Sequence, residues 1–304
     1  TWRDKIGKDF KYKIQLNTGL SDNEILVRDW DTNPTYKSYR KGDRLDLGTW
    51  GMQCIGMFRS YQDIDEYFTK YNITSYMGYA KEDVKPGMLI YKDVRGERQA
   101  DGTYAAPDGV VSAENDQVRL SNRNNPYSMT MNLNAEWKGI SLTAQFNASW
   151  GGYSFLPDDA ISLGNQGTSA NNYNDLEYAN MPSFWNTDNM FVYNDVVDAA
   201  GNVVVKANRN GKYPNLRWSS VNAQKSSYWR ISGTRIKLNR LTLAYRIPSK
   251  YTKMLGIESC RFNVTGQNLL SFYNPYPDNF IDPMTIYGNY PTLRKFTIGV
   301  NLTF

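Results

Sequence analysis

The chain has 304 residues, 35 of them basic and 30 acidic, for a net charge of +5. It contains no histidine and two cysteines, Cys54 and Cys260, which excludes Ser-His-Asp and Cys-His catalysis, His-ligated zinc or haem, a thiolate metal cluster and a disulfide scaffold. The charges are scattered rather than gathered into runs, which gives nucleic-acid binding little support, and no apolar run approaches the ~18 residues of a transmembrane helix.

A mean hydropathy of −0.61 does not separate a soluble protein from a membrane barrel, because half of each barrel strand faces water. The 23 tyrosines and 8 tryptophans suit β-structure, a carbohydrate surface or a membrane interface. A start at Thr1 without methionine or signal peptide predicts a processed protein or a fragment.

In chain order, Phe10, Tyr12, Ile14 and Leu16 alternate with Lys11, Lys13, Gln15 and Asn17, the period of a strand. Gly19 to Asn23 reads as a turn into a second strand, Glu24–Trp30. From Tyr127 to Trp137 every odd residue is apolar, and from Ile140 to Trp150 every even one is. Between them Lys138-Gly139 has glycine where a two-residue turn needs positive φ. Both apolar rows then share one sheet face. Ile236 and Leu238 begin another strand. Leu241, Leu243, Tyr245 and Ile247 continue it with shifted parity, which predicts a bulge near Asn239-Arg240. Pro248 ends that strand, Ser249–Ser259 is a turn, and Cys260–Leu270 returns. The last strand places Phe296, Ile298, Val300, Leu302 and Phe304 on one face.

Each arm of the 127–150 hairpin is 11 residues long, against the ~9–11 that carry a tilted strand across a bilayer. Tyr127, Trp137 and Trp150 stand at the strand ends, where a membrane barrel carries its aromatic girdles. A long hairpin in a soluble sandwich alternates in the same way, so the hairpin alone leaves both readings open. Connection lengths add to it. Short turns at 19–23, 138–139 and 248–259 alternate with long polar stretches at about 31–126, 151–228 and 271–290. Outer-membrane barrels have short periplasmic turns and long extracellular loops.

Thr297, Gly299, Leu302 and the terminal Phe304 resemble the C-terminal signal of outer-membrane barrels, an exposed edge strand ending in an aromatic anchor. Ile236–Pro248, Phe262–Leu269 and Tyr290-Pro291 with the last strand resemble segments of the SusC/RagA-type TonB-dependent transporters. So do Lys85-Pro86-Gly87 with Tyr91–Val94, and Asn125-Pro126-Tyr127. The motifs run from about residue 48 to the end in family order.

The resemblance implies an all-β protein, a transmembrane antiparallel β-barrel. Residues 1–304 would be the C-terminal part of a 22-stranded barrel, with the plug domain and N-terminal strands absent; such large barrels have a plugged lumen. It implies active uptake of an oligosaccharide or peptide across the Gram-negative outer membrane, with the C-terminus periplasmic. Expected partners are a SusD-like surface lipoprotein, TonB through the missing N-terminal region, and outer-membrane lipid. No covalent step is involved and no catalytic residue is expected. Two alternatives stand beside this one: a passive porin, and a soluble glycan-binding β-sandwich.

Trp50, Tyr153, Phe155, Trp185, Tyr193, Tyr273 and Tyr276 lie in the long loops. Flat aromatic faces suit sugar rings, although packing of a loop on itself accounts for any single one of them. No cofactor is expected beyond a candidate calcium ion. The resemblance brings an aspartate-rich, EF-hand-like loop, for which Asp93, Asp108 and Asp116 are the ligand candidates. Arg95 stands where a ligand is expected.

Overall fold

The computed structural model describes residues 1–45, 48–121, 127–161, 182–283 and 292–304. Asn125-Pro126 and Tyr290-Pro291, named above, lie outside them. The chain divides into two compact units. One comprises Thr1–Asp22, Asn125–Gly152 and Ser232–Phe304, and the other Asn23–Asn124 and Tyr153–Ile231.

The first unit is a single sheet of seven strands: β1 (Trp2–Ile6), β2 (Phe10–Gly19), β3 (Tyr127–Trp137), β4 (Ile140–Trp150), β5 (Arg235–Arg246), β6 (Ser259–Tyr273) and β7 (Lys295–Thr303). They lie side by side in chain order, each antiparallel to the next. The turn between β3 and β4 has Lys138 at φ 46° and Gly139 at φ 88°. Positive φ at both positions is the two-residue turn whose twist matches the flanking strands. Register follows directly: Trp137 opposes Ile140 and Tyr127 opposes Trp150.

The expected bulge is present. Gln145 pairs with Arg240 and Phe146 with Leu238, which leaves Asn239 as the extra residue in β5. Opposite it, Asn268 takes φ 54°, and Arg240 and Leu238 pair with Gln267 and Leu270.

The first turn is corrected. Residues 24–30 form no strand, and the hairpin partner of β2 is β1, joined through Gly7 at φ 66°. The reason lies in pattern. Ile25-Leu26-Val27 is an unbroken apolar run without period two, and Ile25 instead exchanges backbone hydrogen bonds with Asp43 and Gly42 (2.8 and 3.0 Å). Turns at 7–9, 138–139 and 247–258 therefore share one end of the sheet with Phe304, and the long segments all leave from the other.

Alternation gives the sheet two unlike faces. One rung reads Phe10, Trp137, Ile140, Tyr245, Phe262, Val300, and another Ile14, Leu133, Ala144, Leu241, Gly266, Phe296. On the opposite face a rung reads Lys13, Asn134, Thr143, Thr242, Thr265, Thr297. The apolar face is open: Phe296 is 70% exposed, Ile298 78% and Phe262 45%. Among the described residues of this unit no second sheet covers it, which a β-sandwich requires. A water-facing patch of this extent is an aggregation hazard, whereas in lipid it is the stable arrangement.

The second unit has the reverse construction. Its longest described element is α1 (Tyr61–Tyr71), capped by Ser60, whose side chain accepts from the Asp63 N–H while Asp63 accepts from the Ser60 N–H. This reciprocal capping box satisfies two orphan donors, and Asn72 in the left-handed region closes the other end. Ile64, Tyr67 and Phe68 form the buried face of α1, alongside buried Phe58, Tyr76 and Tyr91. Short strand pairs surround them, Trp50–Met52 with Gln117–Arg119 and Cys54–Met57 with Leu89–Tyr91.

Candidate functional site

The second unit, formed by two of the long segments, is knit by buried hydrogen bonds rather than by regular ladders. Tyr67 Oη donates to the Tyr91 carbonyl at 2.6 Å, Tyr91 Oη to the Val221 carbonyl at 2.8 Å, and Tyr76 Oη to the Leu89 carbonyl. Burial pushes all three phenols well above their ordinary titration range, so they stay neutral donors. Asn222, 2% exposed, accepts from the Leu89 N–H and donates to the Gly87 and Asn215 carbonyls (2.8, 2.9 and 2.8 Å). Gly87 follows Pro86 in a turn closed by Met88 N–H on the Lys85 carbonyl, with φ 96° at the glycine. Proline then positive-φ glycine is the type II arrangement. A Cβ at Gly87 would stand 2.9 Å from the Phe191 ring.

Among the described residues no ring contact joins any two of the seven loop aromatics. Trp185 is half-buried against core residues of the second unit. Its Nε1 donates to the Ala160 carbonyl at 2.7 Å and its ring lies against Phe184, Tyr213 and Trp229. Tyr193 is held edge-on by Tyr61 and covered by the Arg209 guanidinium at 4.4 Å. Arg230 covers the exposed ring of Tyr153 at 4.2 Å, and Phe155 lies half-buried two residues on. Trp50 meets Tyr36 edge-on at 5.3 Å, with Arg119 over its ring at 5.5 Å. Tyr273 and Tyr276 fall in the first unit, Tyr273 ending β6 and Tyr276 packing edge-on to Phe280.

Around Trp50 is a group that the sequence reading missed. Arg95 sits 3.9 Å over the Tyr36 ring, and Tyr104 meets Tyr36 edge-on at 5.2 Å. Tyr36, Lys37, Arg98 and Tyr104 line a cleft of about 550 Å³. Nothing in the local pattern brings residues 36 and 104 together, so no sequence signal was there to be read.

The three aspartates act on the backbone. Asp116 is fully buried; its Oδ1 accepts from the Val94 and Arg95 N–H groups (2.7 and 3.1 Å) and its Oδ2 from Ser112 N–H at 2.7 Å. Asp93 Oδ2 accepts from Gly109 N–H at 2.8 Å, and Asp108 Oδ1 from Val110 N–H at 2.9 Å. Burial raises the Asp93 carboxyl above the usual range; the Gly109 hydrogen bond opposes this, and the Asp116 and Asp108 charges reinforce it. Arg95, in the position expected for a ligand, instead donates to the Asn115 and Gln117 carbonyls, both at 2.7 Å. Among the described residues no three such side chains are assembled to hold a metal ion.

On the sheet, Tyr127 and Trp150 lie side by side with ring centroids 5.9 Å apart. Trp137 ends the same strand ten steps away, about 33 Å along it. At the ~35–45° tilt of membrane barrel strands that is about 25 Å of height, the size of the apolar band. Thr297 and Gly299 face the polar side opposite Thr265 and Asn263; Leu302 faces the apolar side opposite Cys260. A Cβ on Gly299 would lie 2.9 Å from the Asn263 amide, and Phe304 is 83% exposed at the end of the free edge. Both cysteines are free thiols, one in each unit.

No family model matches the chain. Over 86 residues it is 34% identical to the TonB-dependent receptor P3 of Formosa agariphila, an alignment covering 24% of this chain and 8% of that receptor. Its fold matches the structure of the RagAB peptide importer in the open-open state (TM-score 0.57, 16% identity) and in the closed-closed state (TM-score 0.58, 17% identity). Both matches take in 99% of this chain, which spans 27% and 28% of those chains. A fold shared along the whole chain, together with a stretch of shared sequence, bears out the resemblance to the SusC/RagA-type TonB-dependent transporters.

Proposed function

We propose that this chain is part of the wall and the extracellular surface of an outer-membrane transporter that imports nutrient oligomers, oligosaccharide or peptide, with energy delivered through TonB. The observation that carries the reading is the seven-stranded sheet, apolar and open on one face, polar on the other, with all short turns at one end. In a Gram-negative outer membrane the apolar face contacts lipid, the polar face lines the lumen, and the turns and C-terminus are periplasmic. The remaining strands of a 22-stranded barrel join the free edges at β1 and β7. Long loops on the outer side meet a SusD-like lipoprotein that lids the lumen. The named relatives are a receptor and a peptide importer, which speaks for transport rather than catalysis.

The complete transporter, produced in its host and extracted with mild detergent, tests this. It should fractionate with the outer membrane, carry a surface lipoprotein in similar amount, and lose uptake when TonB is removed. Uptake that persists without TonB, from a barrel that purifies alone, contradicts the transporter reading and favours a passive porin.

A further inference from the structure

The polar face of the sheet gathers cations that the sequence scatters. Cross-strand register sets Lys5 against Lys11, Arg3 against Lys13 and Arg246 against Arg261. Arg240 and Lys295 share a rung, both opposite Gln267. Like charges directly opposed on one face destabilise a sheet, and this face holds three such pairs. By strand register Glu136, directly opposite Lys11, is the carboxylate on this face, and Asp4 pairs with Tyr12 at the β1 edge. Among the described residues the ion pair on this face is Lys237 with Asp282 at 2.7 Å. Arg261 donates to Ser141 Oγ at 2.8 Å. Arg3, Lys5, Lys11 and Lys13 outnumber Asp4 and Glu136 on the wall of an open groove of about 840 Å³ at β1 and β2. From Arg246 to Arg240 the cations climb six residues of β5, about 20 Å along the strand.

We infer that this face is a track for an anionic oligomer, one bearing carboxylate or sulfate groups on successive units. The inference rests on the transporter reading, which makes this face the lumen wall, and adds the sign of the cargo. A cleft walled by one sign of charge concentrates counter-charged solute. Guanidinium and ammonium groups bind carboxylate and sulfate oxygens through charge-assisted hydrogen bonds. A repeating anion satisfies successive rungs and relieves the repulsion between opposed cations, whereas a neutral glycan leaves that repulsion in place.

The complete transporter in liposomes, with carboxymethyl-dextran oligomers and uncharged dextran oligomers of equal length as probes, tests this. The anionic probe should bind at least tenfold more tightly at low salt, and the preference should shrink as salt screens the face. The triple variant Lys13→Gln, Arg240→Gln, Lys295→Gln should bring the two probes together without changing the neutral one. No preference in the unmodified protein overturns the inference, as does a preference that the triple variant keeps. A variant that leaks unrelated solutes but keeps its charge preference also overturns it, because the cations would then be holding a plug. Outer-membrane localisation of the same preparation separates the two failures: a correctly placed transporter without charge preference refutes the track alone, and a misplaced one refutes the transporter reading.

Discussion

The two units solve opposite problems with the same residue types. In the sheet, Phe296 and Ile298 are 70% and 78% exposed, while in the loop unit Phe58, Tyr76 and Tyr91 are fully buried. A protein folded wholly in water buries large apolar groups wherever it can. The sheet instead turns them outward and reserves Thr143, Thr242 and Thr265 for the other face. On the proposed reading, one chain carries a wall suited to a lipid solvent beside a unit with a buried core.

The sharpest way to break this comparison is to move a charge between faces. Arg in place of Leu133 or Leu142 should destabilise the folded barrel by about 2–4 kcal/mol near the bilayer midplane, measured by reversible folding into lipid vesicles. Arg in place of Asn134 or Thr143 should be tolerated; equal cost on both faces would remove the distinction. In the loop unit the comparable lesion is Asn222→Ala. It strands the Leu89 N–H and two carbonyls in a dry site, and should cost about 2–3 kcal/mol of local stability, read as lost exchange protection at Leu89. Unchanged protection there would mean that Asn222 holds nothing.

A smaller effect comes from Asp93. Its folded pKa lies above the unfolded value, so ionisation is harder in the folded unit. The resulting penalty is absent below pH ~4. It grows as pH rises from the unfolded value towards the folded one, and is fully present above that. Asp93→Asn keeps an acceptor for Gly109 and removes the charge. Relative to the unmodified protein it should therefore gain Gly109 exchange protection at neutral pH and not at pH 3. The smallest signal is chemical. Burial pushes the Cys54 thiol up to about 11, so at neutral pH its alkylation should run about a hundredfold slower than that of an open thiol. Rapid labelling would mean the loop unit is more open than described.

Legibility differed between the units for a physical reason. An amphipathic strand must alternate, so the 127–150 hairpin and the bulge at Asn239 are readable from period, while Pro248, which has no N–H for a ladder, marks the stop. The same rule was available for Trp2–Ile6, but the apolar run at Ile25–Val27 drew the hairpin to the wrong side. The loop unit has no such period. Its α1 does carry a local signal, Ser60 and Asp63 ahead of Ile64, Tyr67 and Phe68, but it is a short one within a long polar stretch. Trp185 and Tyr193 looked like free loop aromatics because residue type does not tell a packed ring from an open one. The cationic face shows the same limit from the other side: charges scattered in sequence become a patch only once register is known.

The central claim, that one face of the sheet meets lipid and the other meets water, is tested most directly by spin labels placed singly at every position from Tyr127 to Trp150 in the complete transporter. Collision with oxygen and with a water-soluble nickel reagent is then measured at each site. The two signals should alternate in opposite phase, oxygen highest at odd positions up to 137 and at even positions from 140, with the parity changing at the Lys138-Gly139 turn. Two signals that vary together, or an apolar row more accessible to nickel than to oxygen, would contradict the account.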